Sequence, residues 1–435
     1  MIEPQAGLVR AIGRWSLTAL VVNSIIGSGV FGLPSVLAGL LGRASPWAVL
    51  LGGAVVGVII ASLAEVASQF TQAGGPYLYG RVAFGRFIGI QMGWLLWLAQ
   101  LAAPAANANL FVTYLGEFWS QATDSGPRFV ILTLLVGILA VVNYRGVRAG
   151  TEVSNLFTIA KLLPLGGVIA AGTFCLFSGH ARVPTSLPIA GHSAWLKAML
   201  LLVFAYGGFE TALTPMGEAK DPRRDTVFAL FAALVTCTLL YSLIQWIVIG
   251  MLPDPVHSTR PLADVARQVL GKNGATLVAI GALVSFYGYL SAKILAVPRV
   301  TFALAAAGDL PPGFAAIHPR FRTPYVSILV FAFFVWLLSL LGTFSWNLTL
   351  SAVARLFYYA VGCGALPVLR KKQPEAALFR LPGGTALAVL GVLICLVLLS
   401  QVDLSQSRIL IATVVIGFLN WLAVRNRISA KTGTT

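Results

Sequence analysis

The feature that most constrains the fold of this chain is an interruption inside a long uncharged segment. Residues 16–41 are predominantly apolar and contain no charged side chain. A helix needs about 20 apolar residues to cross a bilayer, but the middle of this segment reads Gly27-Ser28-Gly29, and Pro34 follows. Because Gly costs a helix about 1 kcal/mol and Pro about 3 kcal/mol relative to Ala, we predict a membrane helix that breaks there and exposes backbone amides and carbonyls.

A second interruption decides between two interpretations of the first. Small residues also allow membrane helices to pack closely, and a single Gly-Ser-Gly favours that explanation. The apolar segment 194–216, however, is interrupted in its middle by Phe204-Ala205-Tyr206-Gly207-Gly208-Phe209-Glu210. Paired interruptions in the two halves of a membrane chain indicate the binding site of a transporter.

The composition places this chain among integral membrane proteins. Of its 435 residues, 58% are hydrophobic and 10% are charged, whereas soluble proteins carry about 25% charged residues. No small-residue cleavage site follows the first apolar segment, so we expect no removable signal peptide. The four cysteines lie in or beside apolar segments without metal-type spacing, so we expect neither a metal site nor a structural disulfide.

The apolar segments predict an all-α fold with twelve transmembrane helices. Their approximate bounds are 15–41, 46–70, 87–118, 129–144, 152–178, 194–216, 226–251, 275–306, 324–342, 347–368, 385–401 and 408–424. Lys and Arg are concentrated on one side of this arrangement, nineteen against eight, so the positive-inside rule places both termini in the cytoplasm. The net charge of +16 then indicates topology and anionic lipid headgroups, and does not indicate a nucleic-acid site.

The positions of the two interruptions predict an inverted repeat. They lie five spans apart, an odd number, so a repeat of five spans is necessarily inverted. We predict one transporter domain over 1–435, with a first repeat at 15–178, a second at 194–368 and two additional helices at 385–424. This arrangement is expected for alternating access around a site at the middle of the membrane.

Several further motifs follow the pattern of a known family. The motifs lie at residues 27–31, 74–77, 204–210, 217–224, 298–303, 308–311 and 323–324. Jointly they resemble the amino acid–polyamine–organocation (APC) transporters, which share the LeuT-type fold of five plus five helices. The resemblance covers roughly the whole chain and implies a secondary transporter of amino acids or related amines. Two departures are Ala306-Ala307-Gly308-Asp309, where the family has Ala-Arg-Asp-Gly, and Phe204, where some relatives have Trp.

The chemistry of an amino acid assigns roles at both interruptions. Amides at a helix N-terminus suit a carboxylate, so we assign it to the amides of Ser28 and Gly29, helped by the Ser28 hydroxyl. Carbonyls at a helix C-terminus suit an ammonium. Resemblance to the family's positions implies that the ammonium binds the carbonyls of Ile25, Phe204, Ala205 and Gly207. The predicted substrate site comprises Ile25, Ile26, Gly27, Ser28, Gly29, Asn107, Phe204, Ala205, Tyr206, Gly207 and Gly208.

Two side chains of this predicted site have alternative interpretations. Phe204 is either an aromatic gate that closes over the substrate or one phenylalanine among 25 that packs against a neighbour. Asn107 falls where the family lines the side-chain end of the pocket. It either contacts the substrate or makes an interhelical hydrogen bond.

Charged residues within the spans are costly and indicate function. Lys161 resembles a lysine of sodium-independent family members that fills the ion site of sodium-dependent relatives, which implies an ion-coupling role with Ser285 as a partner. If Lys161 is desolvated, it can release its proton near neutral pH and couple transport to protons. If it keeps its proton, it acts as a fixed cation, which fits exchange of substrates without proton coupling. The structural alternative is that its side chain extends to the membrane interface. We expect Glu210 to brace the broken helix, and Lys293 and Arg355 to line an aqueous route or pair with a carboxylate.

The resulting prediction is a sodium-independent secondary transporter in the plasma (inner) membrane, acting as a proton-coupled symporter of neutral amino acids. Exchange of amino acids or amines and polyamine transport are the alternatives. A nutrient sensor, a channel and a membrane enzyme are less favoured. No span carries His or Asp clusters with the spacing of a metal or catalytic site, as an enzyme would need, and the interruptions suit an occluding site better than the continuous polar pore of a channel. We expect protons as the candidate coupling ion, and neither a cofactor, nor a nucleic-acid partner, nor a disulfide-linked subunit.

Overall fold

The computed structural model describes residues 13–70, 75–145, 151–179, 187–189, 191–210, 221–374 and 376–425, and the side chains of 151–161 and Pro222 lie outside the described part. Every regular element in these residues is helical, in agreement with the all-α prediction. The α-helices are α1 (Arg14–Ile25), α2 (Ser28–Leu41), α3 (Ser45–Ala67), α4 (Gly75–Phe84), α5 (Arg86–Leu115), α6 (Ser125–Arg145), α7 (Thr151–Phe177), α8 (His192–Ala205), α9 (Pro222–Met251), α10 (Pro261–Ala306), α11 (Tyr325–Leu341), α12 (Phe344–Lys372), α13 (Gly384–Leu399) and α14 (Leu404–Val424).

Many of these helices are long and apolar enough to cross a membrane. By length and composition, seven segments of the described chain qualify: Ser28–Ala67, Arg86–Leu115, Ser125–Arg145, Arg223–Met251, Pro261–Ala306, Phe344–Lys372 and Leu404–Val424. Four shorter apolar helical segments are Leu162–Phe177, His192–Ala205, Tyr325–Leu341 and Gly384–Leu399. The chain is therefore a multi-pass helical protein of the membrane type.

Two connections differ in detail from the sequence-based expectation. Between the predicted spans 46–70 and 87–118, the chain contains the ten-residue helix α4. Gly75 and Pro76 are typical of a turn, although Pro is also tolerated in the first turn of a helix. Between the predicted spans 226–251 and 275–306, the first part of α10 forms a short helix that begins at Pro261. It is separated from the long part of α10 by Gly271, whose φ is +72°.

The interruption predicted in span 1 is present, one to two residues before the expected Gly-Ser-Gly centre. Helix α1 ends at Ile25 and α2 begins at Ser28, with Gly27 between them in an extended, non-helical conformation. In span 6, α8 ends at Ala205 and a turn follows over 206–208. The rest of the predicted span, 211–216, lies outside the described residues.

Charged networks tie the helices together at the two ends of α5. At its start, the buried carboxylate of Asp309 accepts hydrogen bonds from Arg81 Nη1 at 2.6 Å and Arg86 Nε at 2.8 Å. Tyr77 also donates to Asp309, and burial together with this carboxylate raises the pKa of Tyr77, so its hydroxyl stays protonated. Beyond the other end of α5, Glu117 pairs with Arg260 at 3.4 Å. These contacts join α4 and α5 to the two ends of α10.

Candidate functional site

The two interruptions touch each other through backbone atoms. A Cβ atom added to Gly29 would lie 3.2 Å from the Cα of Ala205, and one added to Gly208 would lie 2.5 Å from the carbonyl oxygen of Ser24. Gly208 has a φ of +115°, a conformation that glycine adopts without steric cost. The N-terminus of α2 is therefore beside the C-terminus of α8. The positive end of one helix dipole is thus adjacent to the negative end of another.

The N-terminus of α2 has unused hydrogen-bonding capacity. The first N–H groups of a helix have no partner within the helix, and no side chain caps α2. Ser28 is fully buried, and its Oγ atom has no hydrogen-bond partner among the described residues. An unsatisfied buried hydroxyl is costly, so this position suits an anionic group that accepts hydrogen bonds.

Two of the predicted carbonyls already accept one hydrogen bond each. The Ile25 carbonyl accepts from the hydroxyl of Tyr241 at 3.0 Å, and the Phe204 carbonyl accepts from the N–H of Gly207 at 3.0 Å. A carbonyl oxygen has two lone pairs, so both retain capacity for an ammonium. Sequence reasoning missed Tyr241, because nothing distinguishes it from the other tyrosines of apolar helices.

The side chains of the predicted site are buried, and several of them contact other helices. Tyr206 donates its hydroxyl to the Val49 carbonyl at 2.8 Å, so its side chain packs into α3 and its backbone remains at the interruption. Phe204 is 7% exposed and Ile26 is fully buried. A Cβ atom on Gly27 would lie 3.6 Å from the ring of Tyr289, which brings α10 to the interruption.

Asn107 does not make the interhelical hydrogen bond that was one of its two interpretations. Its Nδ2 donates to the Ala103 carbonyl of the same helix at 2.9 Å, and the residue is 1% exposed. Its Oδ1 has no hydrogen-bond partner in the described part of the chain. Among the described residues, the hydrogen bond of Asn107 therefore stays within α5, because the carbonyl four residues earlier is within reach.

A buried charge network holds the interruption after α8. Glu210 Oε1 accepts from Arg355 Nη1 at 2.5 Å, Tyr358 at 2.6 Å and Tyr359 at 2.5 Å. Its other carboxylate oxygen accepts from the N–H of Gly208 at 2.7 Å. Glu210 thus contacts both the backbone of the turn and the side chains of α12, which is the geometry of a brace.

The two unexplained cations within spans have different environments. Arg355 is 2% exposed and pairs with the Glu210 carboxylate, which was one of its two predicted roles. Its guanidinium also fills the space beside Gly207, where an added Cβ would lie 2.5 Å from Nη1. Lys293 is 8% exposed, and its Nζ lies 5.3 Å from the ring centroid of Tyr289, within range of a cation–π interaction.

The predicted ion-coupling pair is only partly described. Ser285 in α10 is 4% exposed, and α10 packs against α7, the helix that contains Lys161. The Lys161 side chain lies outside the described part of the chain. The structure therefore brings the two helices together, and the contact between the two side chains stays a prediction.

The helices are closed around the interruptions. A cavity of about 20 Å³ lies beside the contact between Gly29 and Ala205, and it is also lined by Val49, Tyr241 and Gln245. On this measure one water molecule needs roughly 10–15 Å³, so the cavity holds about one water and cannot hold an amino acid.

The sequence is similar to known proteins over most of its length. It matches the family profile described as "Amino acid permease" over residues 12–419. The serine/threonine exchanger SteT of Bacillus subtilis (strain 168) is 29% identical over 376 residues, 84% of this chain and 84% of SteT. In the same organism, the methylthioribose transporter is 26% identical over 416 residues (89% and 87%). The branched-chain amino acid permease BcaP there is 26% identical over 440 residues (97% and 92%).

Proposed function

Because this chain belongs to the amino acid permease family, we propose that it is a secondary transporter that carries neutral amino acids by alternating access. The observation that carries this proposal is the backbone contact between the two interruptions at Gly29 and Gly208. In this proposal, the amides at the start of α2 and carbonyls with remaining acceptor capacity lie side by side, which is what a zwitterion with a carboxylate and an ammonium needs.

The charge balance at the interruptions supports a substrate with a single ammonium. A cationic amino acid or a polyamine carries an additional positive charge, and it would need a carboxylate of the protein with free acceptor capacity to pair with that charge. Glu210, the carboxylate that lies at the turn after α8 in the described chain, already accepts from Arg355, two tyrosines and a backbone amide. Lys293 adds a second buried cation nearby. Both features favour neutral amino acids over polyamines.

The proposed architecture is the LeuT-type inverted repeat. In this proposal α1–α7 form the first repeat, α8–α12 form the second, and α13 and α14 follow as additional helices. Both chain termini face the cytoplasm of a plasma membrane, as the distribution of Lys and Arg favours. The names of the relatives describe transporters, which argues against a membrane enzyme.

The test of this function combines binding with transport. The purified chain is screened for thermal stabilisation by the twenty amino acids and common amines, with and without sodium. The labelled form of each ligand is then offered to proteoliposomes. We expect neutral amino acids to stabilise the chain and to be taken up without sodium. Binding without uptake would indicate a sensor, and selective uptake of polyamines would overturn the substrate class.

We propose that the coupling ion is a proton carried by Lys161 of α7. We predict that Lys161→Ala reduces uptake and removes its dependence on external pH, because a neutral side chain cannot exchange a proton. Uptake is measured in proteoliposomes between about pH 5 and 8, the range in which a desolvated Lys titrates. Lys197→Ala, which changes an exposed lysine of α8, serves as the control.

Exchange is the second candidate mode, and the relative SteT carries the name of an exchanger. The two modes differ in one measurement on the unmodified chain. A proton symporter fills empty proteoliposomes when a pH gradient is applied, whereas an exchanger needs amino acid on the inside. If Lys161→Ala keeps the rate and pH profile of the unmodified chain, the proton-coupling proposal is wrong.

A further inference from the structure

A groove unrelated to the two interruptions lies beside the Asp309 network. Its volume is about 340 Å³, and its walls come from Trp94 of α5, Pro311 after α10, and one side of α14 with Ile416 and Leu419. Pockets for small ligands in proteins measure about 300–1,000 Å³. The groove is therefore large enough for part of a lipid molecule.

One wall of the groove is apolar and accessible from the side of the bundle. Ile416 is 46% exposed and Leu419 is 57% exposed, and both belong to an apolar helix long enough to cross the membrane. Exposed apolar side chains of such a helix face acyl chains. The outer wall of the groove thus suits hydrocarbon from the bilayer.

The rim of the groove carries excess positive charge. Arg86 Nη1 donates to the carbonyl of Val424, a residue of the groove wall, at 3.2 Å. Arg81 and Arg86 share the single carboxylate of Asp309, so one positive charge of the pair is uncompensated within this network. The next residue along the chain, Arg425, is exposed. The rim therefore attracts a singly negative group such as a phosphodiester.

We propose that this groove binds one anionic phospholipid, with its phosphodiester beside Arg86 and Arg425. One of its acyl chains follows the exposed side of α14, and the lipid lies against Asn420, a residue of the groove lining. The Nδ2 of Asn420 donates to the backbone carbonyl of Asp309 at 2.7 Å. Bound lipid therefore contacts Asn420, which is hydrogen-bonded to the backbone of Asp309, and it stabilises that end of the helix bundle.

Native mass spectrometry of the purified full chain tests this site. The chain is extracted from bilayers containing equal amounts of phosphatidylglycerol and phosphatidylcholine. We expect one phosphatidylglycerol to be retained. Ala423→Trp, which fills the groove wall, should abolish its retention, whereas Ala412→Trp should not, because Ala412 is an exposed alanine of the same helix outside the groove.

A charge variant gives an independent answer and does not depend on tolerance of a bulky side chain. Arg425→Gln changes an exposed residue and should lower the preference for phosphatidylglycerol about fivefold, since one basic side chain near an anionic surface contributes about 1 kcal/mol. Equal retention of both lipids by the unmodified chain overturns the proposal. So does an unchanged preference in Arg425→Gln, or equal retention by the two tryptophan variants. None of these outcomes bears on amino acid uptake, which is measured separately.

Discussion

Replacing Arg355 by Leu is expected to lower the free energy of unfolding by about 3–5 kcal/mol and to abolish uptake. Removal of one partner leaves the Glu210 carboxylate buried without a counter-charge, which is costly in a low-dielectric interior. Glu210 also accepts the N–H of Gly208, so its rearrangement would disturb the turn after α8. Thermal unfolding of the purified chain and uptake by proteoliposomes measure the two effects.

Two further variants distinguish loss of the Glu210–Arg355 pair from the general effect of removing an arginine. Arg320→Leu removes an exposed arginine and should change stability by less than about 0.5 kcal/mol. The double variant Glu210→Gln with Arg355→Leu leaves no buried charge and should recover part of the stability, with an interaction energy of about 0.5–3 kcal/mol. Full additivity of the two single changes would contradict the assignment of these residues as a coupled pair.

Gly29→Val is expected to reduce uptake by about tenfold or more. An added Cβ lies 3.2 Å from the Cα of Ala205, and the backbone of α8 cannot rotate away as a flexible side chain could. Overpacking of this kind costs about 1–3 kcal/mol, and 1.4 kcal/mol corresponds to a factor of ten. Uptake rate and thermal stabilisation by the best ligand are measured on the same preparation.

A matched control for this change is available in a different helix. Gly137 of α6 has no atom within 4 Å of its added Cβ, so Gly137→Val introduces the same side chain into open space. It should retain uptake and ligand stabilisation close to those of the unmodified chain. If Gly29→Val folds and still binds and transports like Gly137→Val, the interruptions do not form the substrate site.

The interruption of span 1 was predictable because it is a local property. Three glycines and a proline within one uncharged segment oppose a continuous helix in any surroundings, and the structure places the end of α1 at Ile25 and the start of α2 at Ser28. The helix α4 was not predictable on the same basis. Its Gly75 and Pro76 indicate a turn locally, and packing with neighbouring helices decides the outcome.

The partners of Glu210 were beyond reach of the sequence for a different reason. Arg355 is 145 positions away, and its pairing with a carboxylate was one of two alternatives until the fold brought α12 to the turn after α8. The hydrogen bonds of Tyr358 and Tyr359 to Glu210 could not be predicted either, because a tyrosine in an apolar helix is indistinguishable in sequence from one that only packs in the core. Tertiary contacts between distant helices leave no periodicity in the chain.

The contact between the two interruptions consists of backbone atoms on both sides. It therefore does not depend on the side chains that would select the substrate. Gly29 and Gly208 must stay without side chains, whatever the cargo. In the proposed site, side chains around these glycines, such as Phe204, can change size and polarity without altering how the backbone holds a zwitterion. A lineage of such proteins can therefore acquire new cargoes through a few surrounding substitutions while the central glycines stay constant.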